Sequence, residues 1–98
     1  MTNTATAGVA LDIGPGRGAL IIYPAERFRD REIEISRVDD IGRRLHTGVH
    51  ERAAQSTSRL TAIFGSLAAA EYVVWSDEAT RAATVTVPEG AVAELSLS

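Results

Sequence analysis

Apolar residues recur along this chain in short runs, broken roughly every 8 to 12 residues by glycine, proline or acidic pairs, the pattern of a small sandwich or barrel of strands. Val9, Leu11 and Ile13 alternate with Ala10 and Asp12, as a strand with one buried face requires. The turn Gly14-Pro15-Gly16-Arg17-Gly18 leads into the almost wholly apolar residues 19–23, and together they predict a hairpin near the middle of a sheet. Pro24 ends that run, and residues 24–31 have room for a short helical turn. Ile33 and Ile35 then alternate with Glu32, Glu34 and Ser36, and Asp39-Asp40-Ile41-Gly42 supplies the next turn. Residues 44–51 alternate again, with Leu45, Thr47 and Val49 on one face and Arg44, His46, Gly48 and His50 on the other. Residues 60–64, 72–75, 83–87 and 92–97 complete the strands, and Pro88-Glu89-Gly90 reads as the hairpin turn between the last two.

Residues 50–72 admit a second reading. Leu60, Ile63, Phe64 and Leu67 fall at helical spacing, and Ala68-Ala69-Ala70-Glu71 favours helix by propensity. Gly65-Ser66 interrupts a continuous helix, which favours strand. The expected architecture is an all-β sandwich of seven or eight mostly antiparallel strands, one domain over residues 8–98 after a flexible tail at 1–7. Its interior should draw on Val9, Leu11, Leu20, Ile22, Ile33, Ile35, Leu45, Val49, Leu60, Phe64, Tyr72, Val74, Val85, Val87, Leu95 and Leu97.

The C-terminal half carries a recognisable series. A strand ending in Phe64, the loop Leu67-Ala68-Ala69-Ala70, the Tyr72-led strand, Val85-Thr86-Val87, a turn at Gly90 and a last apolar strand follow one another. This series resembles prealbumin-like domains, the carboxypeptidase regulatory-like and collagen-adhesin B-type repeats, although Ala69 and Ala70 stand where those loops carry Pro and Gly. The resemblance implies a prealbumin-like or immunoglobulin-like sandwich with Tyr72 and Val74 facing inward. The chain as a whole also resembles a group of small bacterial proteins with no assigned activity, through Leu11-Asp12-Ile13-Gly14, Gly18-Ala19-Leu20-Ile21-Ile22 and Arg44-Leu45-His46-Thr47. Transthyretin-related hydrolases carry an N-terminal histidine and a Tyr-Arg-Gly-Ser ending. Neither occurs here, so that activity is not implied.

Composition narrows the chemistry. The 98 residues are 45% hydrophobic and 23% charged, an ordinary globular mixture with a net charge of -3. All ten basic residues are arginines, which removes Schiff-base chemistry and a phosphate-loop lysine. Without cysteine there is no thiolate nucleophile, disulfide or zinc-thiolate site. Eight arginines lie between residues 27 and 59 among six acidic residues, so the region reads as a solvated face with cross-strand pairs such as Glu32 or Glu34 with Arg44, and not as a nucleic-acid surface. No apolar run is long enough to span a membrane, and the first ten residues lack a secretory leader, which predicts a cytoplasmic location.

Three places remain as candidate sites. His46 and His50, with Glu51, could hold a divalent metal, although on one strand the two rings would stand about 13 Å apart. Arg17 and the glycines around it could present donors to an anion, but neither a following helix nor a Lys-Ser/Thr pair is there, and a bulged hairpin turn explains Gly14, Gly16 and Gly18 better. Trp75 and Val73 turn outward if Tyr72 and Val74 turn in, which makes them a candidate contact surface for a partner or a second copy. The competing reading places Trp75 beneath a loop or arginine stems. The expected function is a non-catalytic binding or self-assembly module, a homo-oligomer or partner-binding protein without a cofactor. A small metal-binding protein using His46 is the alternative, and a hydrolase the remote one.

Overall fold

Alternation of buried and exposed side chains along eight strands builds two facing sheets whose apolar sides turn towards each other. The computed structural model describes residues 3–6, 9–54 and 57–98. Strands β1 (Asn3–Thr6) and β2 (Val9–Asp12) form a hairpin, followed by β3 (Arg17–Pro24), a single 3-10 turn at Glu26–Phe28, and β4 (Glu32–Arg37). β5 (Leu45–Gly48), β6 (His50–Ala54), β7 (Thr57–Ala68), β8 (Ala70–Trp75), β9 (Arg81–Val87) and β10 (Val92–Leu97) complete the order. One sheet runs β10-β3-β7-β6 and the other β5-β4-β8-β9. The β10–β3 pair is parallel; the other described pairs are antiparallel. The expected all-β sandwich is therefore the observed one. No helix among the described residues is long and apolar enough to cross a membrane.

The interior is filled from period-two positions: Leu20 and Ile22 of β3, Ile33 and Ile35 of β4, Tyr72 and Val74 of β8, with Val87 and Leu97. On β7, Leu60, Ala62 and Phe64 face inward, and then the period breaks. Gly18 lies opposite Leu67 but Leu20 lies opposite Phe64, so β7 carries one extra residue here. That bulge changes the phase of the strand and returns Leu67 to the interior. The helical spacing of Phe64 and Leu67 is the imprint of the bulge, and Ile63 belongs to the opposite face. Phe28, delivered by the 3-10 turn, fills a further part of the interior.

A second, smaller cluster explains why residues 19–22 are apolar on both faces. Ala19, Ile21 and Ile63 point away from the main interior and are covered by Leu11 of β2. The sequence-based hairpin of β2 with β3 is thus corrected: β2 takes β1 as its backbone partner and lies on the face of β3 and β7. A backbone needs partners for its N–H and C=O groups, and β1 provides them, so Asn3–Thr6 is a paired strand and not part of a tail. The expected core role of Val9 concerns a side chain outside the described residues.

The chain crosses between the two main sheets four times, first through residues 25–31 between β3 and β4. The other three crossings are tight corners: Val49 between β5 and β6, Ala69 between β7 and β8, and residues 88–91 between β9 and β10. Residues 44–51 are therefore two strands in opposite sheets, and Pro88-Glu89-Gly90 is a corner, not a hairpin turn. At Val49 the buried side chain and its N–H, bonded to the Arg31 carbonyl at 2.9 Å, fix the crossing. Leu45 is corrected as a core residue: on the short edge strand β5 it is 41% exposed. At the last corner, a Cβ on Gly18 would stand 2.1 Å from the Pro88 carbonyl oxygen. Gly18→Ala should consequently cost about 3 kcal/mol, the upper part of the overpacking range, in denaturant unfolding. Gly42→Ala, which meets nothing within 4 Å, should stay within about 0.5 kcal/mol of the parent.

Candidate functional site

A groove of about 620 Å³ opens at the end of the sandwich where β4 leaves its sheet and β7 turns into β8. Its floor is apolar: Leu45, Leu67 and the ring of Tyr72, whose hydroxyl donates to the Ala68 carbonyl at 2.7 Å. The exposure of Leu45 thus comes from lining an open groove. Around that floor stand the guanidinium groups of Arg17, Arg37 and Arg43, together with the carboxylates of Asp39 and Asp40.

Two of these guanidinium groups are held in place. Arg17, first residue of β3, donates from Nε to Ser66 Oγ at 2.9 Å and from Nη2 to the Ser66 carbonyl at 3.0 Å. Arg37, last residue of β4, forms a bidentate pair with Asp39 at 2.9 and 3.0 Å. This pairing holds the Asp39 carboxyl below its usual range and raises the Arg37 guanidinium. Burial foremost pushes the Tyr72 phenol up, against the opposing pull of Arg37 and Arg17. The guanidinium of Arg43 has no hydrogen bond or ion pair among the described residues, while its backbone N–H closes the 40–43 turn on the Asp40 carbonyl. At the glycine turn the Gly16 N–H is taken by the chain itself, donating to Glu89 Oε2 at 2.6 Å, while Arg17 reaches into the groove.

A smaller acidic groove of about 350 Å³ lies at the other end of β4, beside Glu32, Glu34, Asp77 and Glu78. Two of its carboxylates, Asp77 and Glu34, serve local structure. Asp77 caps the N–H groups of Ala79 and Thr80, which lowers its pKa, and Glu34 accepts from Arg44 at 2.8 Å, the cross-strand pair the sequence predicts.

Trp75 and Val73 do turn away from the interior, but the expectation that they form an open surface is corrected. Trp75 is 8% exposed and Val73 2%. Arg44 lies 3.7 Å from the centroid of the indole ring, Arg81 lies 5.5 Å away, and indole Nε1 donates to the buried Ser36 Oγ at 2.9 Å. Arg44 is anchored by Glu34 and by the Glu78 carbonyl, so the arginine is a fixed cover. Of the expected metal ligands, His46 is exposed on β5 opposite Glu34, and the ring of His50 rests against Gly48. Glu51 is taken by Ser58 at 2.7 Å and Arg29 at 3.0 Å, and these bonds, Ser58 first, lower its pKa. Among the described residues no three His, Asp or Glu side chains form a metal-holding group.

Arg37, Arg43 and Leu45 are the groove residues that sequence reasoning missed. The dense Arg37-Val38-Asp39-Asp40-Ile41-Gly42-Arg43-Arg44 turn was the available signal, but composition alone made it look solvated.

Arg44→Ala should shift the emission of the single tryptophan to longer wavelength and cost about 1 kcal/mol, the combined scale of one exposed cation–π contact and one ion pair. Fluorescence with denaturant titration reads both. No family model matches this sequence, and neither the curated proteins nor the solved structures compared with it gave a match.

Proposed function

We propose that this chain is a non-catalytic binding module whose ligand, an anion joined to an apolar body, occupies the groove of Arg17, Arg37 and Arg43. The observation that carries the reading is the guanidinium of Arg43, unengaged among the described residues, beside two anchored ones and above an apolar floor. Guanidinium groups bind carboxylates and phosphates in a bidentate fork, and anchoring them beforehand reduces the entropy lost on binding. Two features favour binding over catalysis. Asp39 is held ionised by Arg37 and the phenol of Tyr72 is pushed up, so both titrate far from the neutral range a general acid or base needs. A prealbumin-like relationship, resting on the sequence series from Phe64 through Tyr72 to the last strand, belongs to the same reading. A cytoplasmic location remains part of the same reading.

Calorimetric titration with phenyl phosphate tests it. Binding should weaken about tenfold in Arg43→Ala, the scale of one charged hydrogen bond. It should also weaken with added salt. Benzyl alcohol, which lacks the anion, should not bind. Phenyl phosphate binding that is absent, or indifferent to Arg43→Ala, removes the reading.

A further inference from the structure

The four strands at the edges of the two sheets differ in how they meet solvent. β5 is only four residues long and follows Arg43 and Arg44. β6 carries Glu51 and Arg52, and β10 carries Glu94, which accepts from Tyr23. β9 has no charged side chain after Arg81, and beyond Ala82 it reads Ala83-Thr84-Val85-Thr86-Val87. Short or charged edges resist pairing with another chain, whereas an uncharged β-branched edge invites it. The inward side chains Ala83 and Val85 are also only half-buried, although their neighbours Tyr72 and Val74 on β8 are fully covered.

We infer that β9 is a homodimer interface, pairing antiparallel with β9 of a second copy about a two-fold axis at Val85. The register follows from the strand itself. Val74 lies opposite Ala83 but Trp75 lies opposite Arg81, so Ala82 is a bulge that bounds the regular segment on one side, and Pro88 bounds it on the other. Residues 83–87 are what remain, and Val85 is their centre. An axis there sets Val85 against its equivalent, Ala83 against Val87, and Thr84 against Thr86. An axis at Thr84 would force the bulge into the ladder, and one at Thr86 would pair Thr84 with Pro88. Beyond the bulge at Ala82, Arg81 of one copy comes near the Pro88-Glu89 corner of the other, where the charges are opposite. Five paired residues make a small contact, which puts the dimer at the weak end of the specific range. The inference is independent of the arginine groove, which no β9 residue lines.

Sedimentation velocity at about 100 µM and 1 µM should give dimer and monomer respectively. Thr84 and Thr86 are exposed, so charge there leaves the fold intact, with the melting temperature as control. Thr84→Lys with Thr86→Lys opposes like charges across the axis and should weaken association at least tenfold. Thr84→Glu with Thr86→Lys opposes unlike charges and should keep or tighten it. A parent chain that stays monomeric at 100 µM leaves the edge to another partner and overturns the inference. Association unchanged by the double lysine variant overturns it too. Equal weakening in both variants overturns the Val85 register.

Discussion

The join between Gly18 and the corner at residues 88–91 is the contact on which the rest of the sandwich depends. The Gly90 N–H donates to the Arg17 carbonyl at 2.8 Å, the Ala19 N–H to the Ala91 carbonyl at 3.1 Å, and the Gly16 N–H to the Glu89 carboxylate. These bonds bring the last corner of the chain down onto the start of β3 and set β10 parallel beside it. Only glycine leaves space for the Pro88 carbonyl at that point. With β10 in place, Leu97 closes the interior, and its carbonyl accepts the Ala25 N–H at 2.7 Å, fixing the connection that carries Phe28 inward.

Arginine does more here than carry charge. Arg44 covers Trp75, Arg59 lies 3.6 Å from the centre of the Tyr23 ring and Arg27 lies 4.1 Å from that of Phe28. A flat, weakly hydrated guanidinium can lie on a ring and keep its edge hydrogen-bonded, which an ammonium group does poorly. Against this background, Arg17, Arg37 and Arg43 differ in kind: they surround an opening instead of covering a ring.

The strands were legible in the sequence because burial on one face leaves a period of two, as at Ile33 and Ile35 or Tyr72 and Val74. The sheets to which those strands belong were not. Alternation runs through Val49 without a break, yet the chain changes sheets there, because a corner held by backbone bonds leaves no mark on the polarity pattern. A bulge leaves a misleading one, as Phe64 and Leu67 illustrate. The outward direction of Trp75 could be read, but its cover could not, since Arg44 approaches from the residue before β5, a strand two places away in the sheet. The groove escaped for a similar reason: Arg17, Arg37 and Arg43 meet only once the two sheets face each other.

The hairpin of β1 and β2 gives the molecule a third layer on one side only. Cutting the chain after residue 13 would spare every strand of the two main sheets and still uncover Ala19, Ile21 and Ile63 as an oily wall. A shortened form would keep its skeleton but present that apolar face to water, so the β1–β2 hairpin serves as a raincoat for the sheet behind it.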